Sequence, residues 1–235
     1  IGEAPTMIER PDGVHMVEMN TASRSGSRSG QVNYWWLGPG GWESLSTFSL
    51  TYMRPFIGFT WGPAGPVIAL IRKNDGGGRA VRSEFSVVKQ SAPDGSGPWT
   101  REYIIDVDSY ESLKYGDRPI GIGFDGNDVA HLVYLGQEGV LKDTGGPDID
   151  TGVRNSHIIM RTGPGGELWL TYLKGTTLLL SRHTTGTGWE RMGRIVDLDP
   201  DGRYDMHVDA DGNIHLCVYH LPAHKLWYGY WEATP

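Results

Sequence analysis

Residues 205–219 read D-M-H-V-D-A-D-G-N-I-H-L-C-V-Y. A short strand with alternating apolar side chains, Asp205–Asp209, meets a turn at Asp211-Gly212 and returns as a second apolar strand, Ile214–Tyr219. Period-two alternation marks strands, and Asp-Gly supplies a tight reversal. The same unit occurs four more times: Pro5–Arg10 with Asp12-Gly13, Pro55–Thr60 with Pro63-Ala64-Gly65, Pro119–Phe124 with Asp125-Gly126, and His157–Thr162 with Pro164-Gly165-Gly166. The turn glycines recur at intervals of 52, 61, 40 and 46 residues. Strand pairs repeating at such a period, without helical periodicity, predict a β-propeller with one blade per repeat. Five repeats use the whole chain. The expected fold is therefore all-β, a single-domain five-bladed propeller with blades at about 5–50, 54–114, 118–152, 154–200 and 203–235.

Within each repeat the first strand is expected innermost. The second follows the turn, at Val14–Met19, Val67–Ile71, Val129–Leu135, Leu168–Leu173 and Ile214–Tyr219. Third strands read as Val32–Leu37, Ala80–Val88, Val140–Lys142, Leu178–Arg182 and Leu226–Trp231. Gly41-Trp42, Gly97-Pro98-Trp99 and Gly188-Trp189 then open outer strands, and a Trp at one fixed place per blade points to packing between blades. Blade three is short, and its third strand is followed by the polar stretch Asp143–Gly152. Blade five ends at Trp231-Glu232 with no outer strand, and Ile1–Ala4 is barely long enough to supply one. The stretch Ser23–Gly30 reads as a polar loop.

The bulk numbers agree with a turn-rich β protein. Thirty-four Gly and fourteen Pro accompany nine Trp and eleven Tyr. A net charge of −7 argues against a general nucleic-acid binder, and no apolar run is long enough for a transmembrane helix. Neither nucleic acid nor a membrane is expected as a partner. Cys217 is the single cysteine, so no intramolecular disulfide forms. The chain starts at Ile1 rather than Met, so an upstream segment is expected to have been removed, and secretion or export to a periplasm is compatible with the sequence. A monomer is expected.

Asp211–His220 (D-G-N-I-H-L-C-V-Y-H), followed by Lys225–Trp231 (K-L-W-Y-G-Y-W), resembles the blades of sialidase-like, BNR-type repeat propellers. Asp125–Tyr134 repeats the pattern and Asp12–His15 gives a fragment of it, whereas true Asp-boxes are absent. Relatives of this type include glycosidases, polysaccharide lyases and lectins. The resemblance thus implies a carbohydrate-active protein without choosing among them.

Candidate site residues follow from placing the chain on that architecture. An arginine precedes the first strand of four repeats: Arg54, Arg118, Arg154 and Arg203. Closure would bring them to one rim, where guanidinium groups give bidentate bonds to carboxylate, sulfate or phosphate. Local acids such as Asp117, Asp150 and Asp205 are the alternative partners. Arg24, Arg28, Arg72, Lys73, Arg79, His220, His224 and Lys225 add positive charge on the same face. His157 and His207 lie on inner strands and can face the channel, while His15, His131 and His215 recur at one place on the second strand and suit a bonding role inside the blade. The resemblance implies a lyase trio of Tyr219, His220 and Arg203, acting by β-elimination on a uronate. A hydrolase would need paired carboxylates, for which Glu18, Glu138, Asp117 and Asp205 are the candidates.

Unequal blades favour one composite site and hence catalysis. A multivalent lectin using Tyr34, Trp35, Trp36, Trp61 or Trp227, or a cofactor-free cyclase or isomerase, is the alternative. The expected ligand is an anionic carbohydrate or an acidic small molecule. No cofactor is expected. Asp197–Gly202 is similar to the start of a calcium loop but lacks its closing acid, since Val208 stands at the twelfth position. Gly121-x-Gly123-x-x-Gly126 matches a dinucleotide fingerprint without the helix it needs.

Overall fold

The computed structural model describes residues 5–24, 27–51, 57–74, 82–90, 92, 97–108, 120–136, 139–153, 157–198, 203–220 and 223–232. These residues form five antiparallel sheets and no α-helix. Among them no helix is long and apolar enough to cross a membrane. The chain divides into two compact units, Ile1–Gly116 and Asp117–Pro235.

The first unit holds two four-stranded meanders. One is β1 (Thr6–Arg10), β2 (Gly13–Arg24), β3 (Ser27–Gly38) and β4 (Gly41–Thr51). The other is β5 (Ile57–Gly62), β6 (Gly65–Asn74), β7 (Arg82–Gln90) and β8 (Trp99–Asp108). The second unit holds β9 (Ile120–Phe124), β10 (Ala130–Leu135) and β11 (Leu141–Asp143), then a four-stranded sheet of β12 (Ile159–Thr162), β13 (Leu168–Lys174), β14 (Thr177–Thr184) and β15 (Gly188–Asp197). Last come β16 (Arg203–Val208), β17 (Ile214–His220) and β18 (Lys225–Trp231). Strands pair in chain order within every sheet, which is the blade of a propeller. The fold class is as the repeats predict: all-β, with five blades of the propeller type. Blades three and five have three strands among the described residues, the two irregular blades that the sequence singles out. Ile1–Ala4, the expected closing segment, lies outside the described residues.

Alternation explains the packing. In the first unit Val17, Val32 and Tyr34 of the first blade meet Phe59, Ile68, Leu70 and Val88 of the second. Trp99 adds its ring edge to Tyr34, with centroids 5.6 Å apart, and donates to Ser46 Oγ at 2.7 Å. In the second unit one apolar layer joins blades three and four through Val133, Leu141, Leu168, Leu170 and Tyr172. The opposite face of blade four, through Trp169, Leu178 and Leu180, packs on Tyr204, Met206, Ile214 and Leu216 of blade five. Each fully buried leucine contributes about 1.5–3 kcal/mol to that association.

The glycines of the dinucleotide-like match belong to this packing. A Cβ on Gly121 would lie 2.8 Å from Met160 Cβ, and one on Gly123 2.8 Å from Leu168 Cδ2. The strand β9 needs them to approach blade four. Trp189, like Trp99, packs between blades, donating to Asp143 Oδ2 of blade three at 2.8 Å, whereas Trp42 is exposed.

Two local readings change. Ser23, Arg24 and Ser27–Gly30, expected as loop, continue the β2–β3 ladder, with Arg24 opposite Ser27 and Gly30 opposite Thr21, and ladder pairing satisfies their backbone groups. The second change concerns the turns. Asp125-Gly126 and Asp211-Gly212 look equivalent in sequence, yet it is Asp209 that corresponds to Asp125. In both turns the Asp N–H bonds the carbonyl four residues on, Val129 or Asn213. Its Oδ1 accepts from the residues two and four further along, at 2.8–2.9 Å. The fourth turn residue takes positive φ, as Asp128 in one and Gly212 in the other. Glycine and the short acidic side chain both tolerate that conformation, so the Asp-Gly spelling slips by two residues between blades.

Candidate functional site

The corrected turn register exposes a repeated constellation. A histidine stands six residues after Asp125 and Asp209, as His131 and His215, on the second strand of its blade. The residue opposite the position two further along, on the third strand, closes the set. His215 places Nε2 3.0 Å from Asp209 Oδ2 and Nδ1 2.5 Å from Tyr228 Oη. In the first blade His15 does the same with Asp12, at 3.2 Å, and Tyr34, at 2.6 Å. Burial and the Asp12 charge raise the Tyr34 pKa, so its hydroxyl stays protonated and hydrogen-bonded. The His215 bond, followed by the Asn213 amide, holds Asp209 far below the ordinary carboxylate range. These contacts give the recurring histidines the bonding role inside the blade that the sequence suggests.

Blade four keeps the geometry with other atoms. Gly163 takes the place of the turn Asp, with Gly163 N–H bonded to Glu167 O, and Trp169 takes the place of the histidine. The Glu167 carboxylate folds into the space that an Asp side chain at 163 would fill. A Cβ there would meet Glu167 Oε1 at 2.0 Å, and the same oxygen accepts from Trp169 Nε1 at 3.3 Å.

Blade three differs in its third member. His131 Nδ1 lies 2.7 Å from Asp143 Oδ2, a carboxylate where blades one and five have a tyrosine. Burial opposes ionisation at both groups, but their mutual hydrogen bond outweighs it, lowering the Asp143 pKa and raising that of His131.

The expected lyase trio lies on blade five, and the structure brings only part of it together. Arg203 and Tyr219 are direct cross-strand partners on one face of the β16–β17 ladder. His220 is next along β17 and so projects from the opposite face, its ring stacked on Trp227 at 5.4 Å and 10°. His224 partners Tyr219 instead, with Nδ1 3.1 Å from the phenolic oxygen. It reaches there because its backbone adopts φ 48° in the β17–β18 turn. Depending on tautomer, the hydroxyl donates to Nδ1 or the reverse. Arg203 and His224 are solvent-exposed and Tyr219 is half-buried. The His224–Tyr219 contact has no signature in spacing, because a left-handed residue in a turn sets it.

The remaining candidates separate. His157 bonds through its carbonyl to the Tyr204 hydroxyl, and its ring meets Tyr204 edge-on at 5.1 Å. His207 is exposed, 6.0 Å from the His215 ring. Arg54, Arg118, Arg154, Arg79, Asp117 and Glu138 lie outside the described residues, as do Asp199–Gly202 of the calcium-like stretch. Asp197 of that stretch accepts from Thr177 at 2.9 Å and pairs with Arg194. Glu18 accepts from Asn33 at 2.9 Å, and Asp205 from Arg161 at 3.1 Å. Asp150 is held by Lys174 at 2.7 Å, Arg191 at 2.5 Å and the Tyr172 hydroxyl at 3.0 Å.

No protein-family model and no curated protein matches the chain. Solved structures do. A glycoside hydrolase family 43 enzyme from Xanthomonas citri aligns over 99% of this chain and 89% of its own, with 10% identity and a TM-score of 0.47. A Trypanosoma rangeli sialidase, solved with the inhibitor DANA, aligns over 98% of this chain and 47% of its own, with 11% identity and a TM-score of 0.49. A prolyl endopeptidase aligns over 100% of this chain and 36% of its own, with 9% identity and a TM-score of 0.44. Function is therefore argued from the site.

Proposed function

We propose that this chain acts on an acidic glycan and cleaves it by β-elimination, with Tyr219, His224 and Arg203 as the working groups. The observation that carries the reading is the 3.1 Å contact between Tyr219 Oη and His224 Nδ1, directly across the ladder from Arg203. A guanidinium binds the uronate carboxylate and stabilises the charge that develops as C5 is deprotonated. Tyr219 passes its proton to neutral His224, and the phenolate oxygen then takes the C5 proton. The electron pair left on C5 forms the C4=C5 bond and the C4–O bond breaks. The departing oxygen takes the proton from His224, which returns both side chains to their starting forms. His207, exposed on the same face of β16 as Arg203, is assigned to binding a further acidic sugar.

The test is incubation of the protein with uronate polysaccharides while following the ultraviolet absorbance of the unsaturated product. Tyr219→Phe should lower the rate by about 10²–10⁴-fold, whereas His220→Ala, on the other face of the strand, should leave the chemical step in place. An unchanged rate in Tyr219→Phe overturns the assignment. A second reading, a lectin, is favoured by the exposed rings of Tyr228 and Tyr230 on β18. Binding at several sites per chain without turnover would select it.

A further inference from the structure

We infer that Asp125, His131 and His183 form a binding site for one zinc-class divalent metal ion between blades three and four. One ligand atom from each lies within 4.8 Å of the other two. All three residues are buried, at 8%, 3% and 8% exposure. The donors come from three separate elements: the turn after β9, strand β10 and strand β14. The site therefore joins two blades.

The decisive feature is what these atoms lack. His131 directs Nδ1 at Asp143 Oδ2, 2.7 Å away, so Nδ1 carries the proton and, in the neutral ring, Nε2 presents its lone pair. That Nε2 is buried with no hydrogen-bond partner, and so is His183 Nδ1. Asp125 Oδ2 stands 3.7 Å from His131 Nε2, too far for a hydrogen bond. Two buried histidine nitrogens without partners thus accompany a buried carboxylate, and a cation satisfies the three residues together. A proton on His131 Nε2 answers less well. It leaves His183 Nδ1 without a partner and makes no good bond at 3.7 Å.

The surroundings match what metal sites need. A ligating histidine typically donates its other N–H to a carboxylate, which fixes tautomer and orientation, and Asp143 does this for His131. Asp143 is in turn held by Trp189 Nε1 at 2.8 Å and by the Gly145 N–H at 3.1 Å. Two imidazole nitrogens and one carboxylate oxygen suit zinc, whose bonds of about 2.0–2.1 Å place tetrahedral ligands about 3.4 Å apart. With three protein ligands, such a site takes a water in the fourth position. Thr185 donates to Asp125 Oδ2 at 3.2 Å and so helps to orient that carboxylate. The corresponding sets in blades one and five differ, because His15 Nε2 and His215 Nε2 are already bonded to Asp12 at 3.2 Å and to Asp209 at 3.0 Å.

The full chain, stripped with a chelator and dialysed, should take up one zinc per chain at neutral pH by calorimetry and elemental analysis. Zinc at about a hundred times its dissociation constant should raise Tm by about 5–10 °C. Affinity should fall as the histidines are protonated. His183→Gln should weaken binding by about 100-fold or more, and Asp143→Asn by about 10–100-fold. Cobalt in place of zinc should give the intense visible bands of a tetrahedral site with nitrogen ligands. Absence of stoichiometric zinc, or equal affinity in His183→Gln, overturns the inference. Should that variant fail to fold, the cobalt spectrum of the unaltered chain decides: weak bands of octahedral, water-ligated ion overturn it.

Discussion

Trp189 donates its indole N–H to Asp143 Oδ2 at 2.8 Å, the same oxygen that His131 reaches at 2.7 Å. The bond ties the outer strand of blade four to the third strand of blade three, as Trp99 Nε1 ties blade two to Ser46 of blade one. Trp189→Phe keeps most of the ring and deletes only the donor. Loss of one bond to a buried carboxylate should cost about 1–3 kcal/mol. Urea denaturation in chelator checks it through a lower midpoint at unchanged slope. An unmoved midpoint would show that the Gly145 N–H and His131 alone satisfy the carboxylate.

Glu167 supplies the carboxylate that Gly163 lacks, which makes these two positions interchangeable in principle. Gly163→Asp alone puts a second carboxylate where a new Cβ would lie 2.0 Å from Glu167 Oε1, so Glu167 must swing out and lose Trp169. Adding Glu167→Asn reproduces the Asp209 and Asn213 arrangement of blade five. The single Gly163→Asp variant should be destabilised by about 1 kcal/mol and the double variant should recover much of that, a coupling within the range of about 0.5–3 kcal/mol for residues in contact. A double-mutant cycle in denaturant measures it, and strict additivity would contradict the substitution of one carboxylate for the other.

That exchange also shows where sequence reading stops. The blades were legible because apolar alternation and turn glycines are local signals, written in each repeat. The recurrence of His15, His131 and His215 was legible for the same reason. Their partners were not. Asp209 rather than Asp211 holds His215 because the turn tolerates either Asp or Gly at its left-handed position, which shifts the visible Asp-Gly pair. His183 meets His131 across 52 residues of chain, at ring centroids 4.3 Å apart, through blade packing alone. The His224–Tyr219 contact depends on one positive φ.

Gly166 and Gly186 both have positive φ, at 79° and 88°, yet only one is crowded. A Cβ on Gly166 would lie 2.4 Å from Gly126 Cα, backbone against backbone, whereas nothing lies within 4 Å of one on Gly186. Gly186→Ala should therefore cost about 1–2 kcal/mol, the left-handed penalty alone. Gly166→Ala should cost distinctly more, because the turns of blades three and four must part. Thermal denaturation of the two variants tests the ranking, and equal losses would contradict the contact.

Asp150 is a buried carboxylate held between Lys174 and Arg191, with the Tyr172 hydroxyl as third donor. Burial alone would raise its pKa. The Lys174 bond, the Thr151 N–H, Tyr172 and the Arg191 charge outweigh that and set it below the ordinary 3.8. A depressed folded-state pKa contributes stability that is present above the unfolded value and is lost as pH falls through the folded one. Both cations are partly exposed, which limits the gain to about 1 kcal/mol. Asp150→Asn should therefore be less stable than the parent at neutral pH by about that amount, and the difference should shrink once the pH falls below 3.8. Parent and variant differ only in this carboxylate, so the slope of their difference belongs to it. Denaturation midpoints of parent and variant between neutral pH and acid measure the difference, and a gap that stays constant with pH would assign the loss to geometry rather than charge.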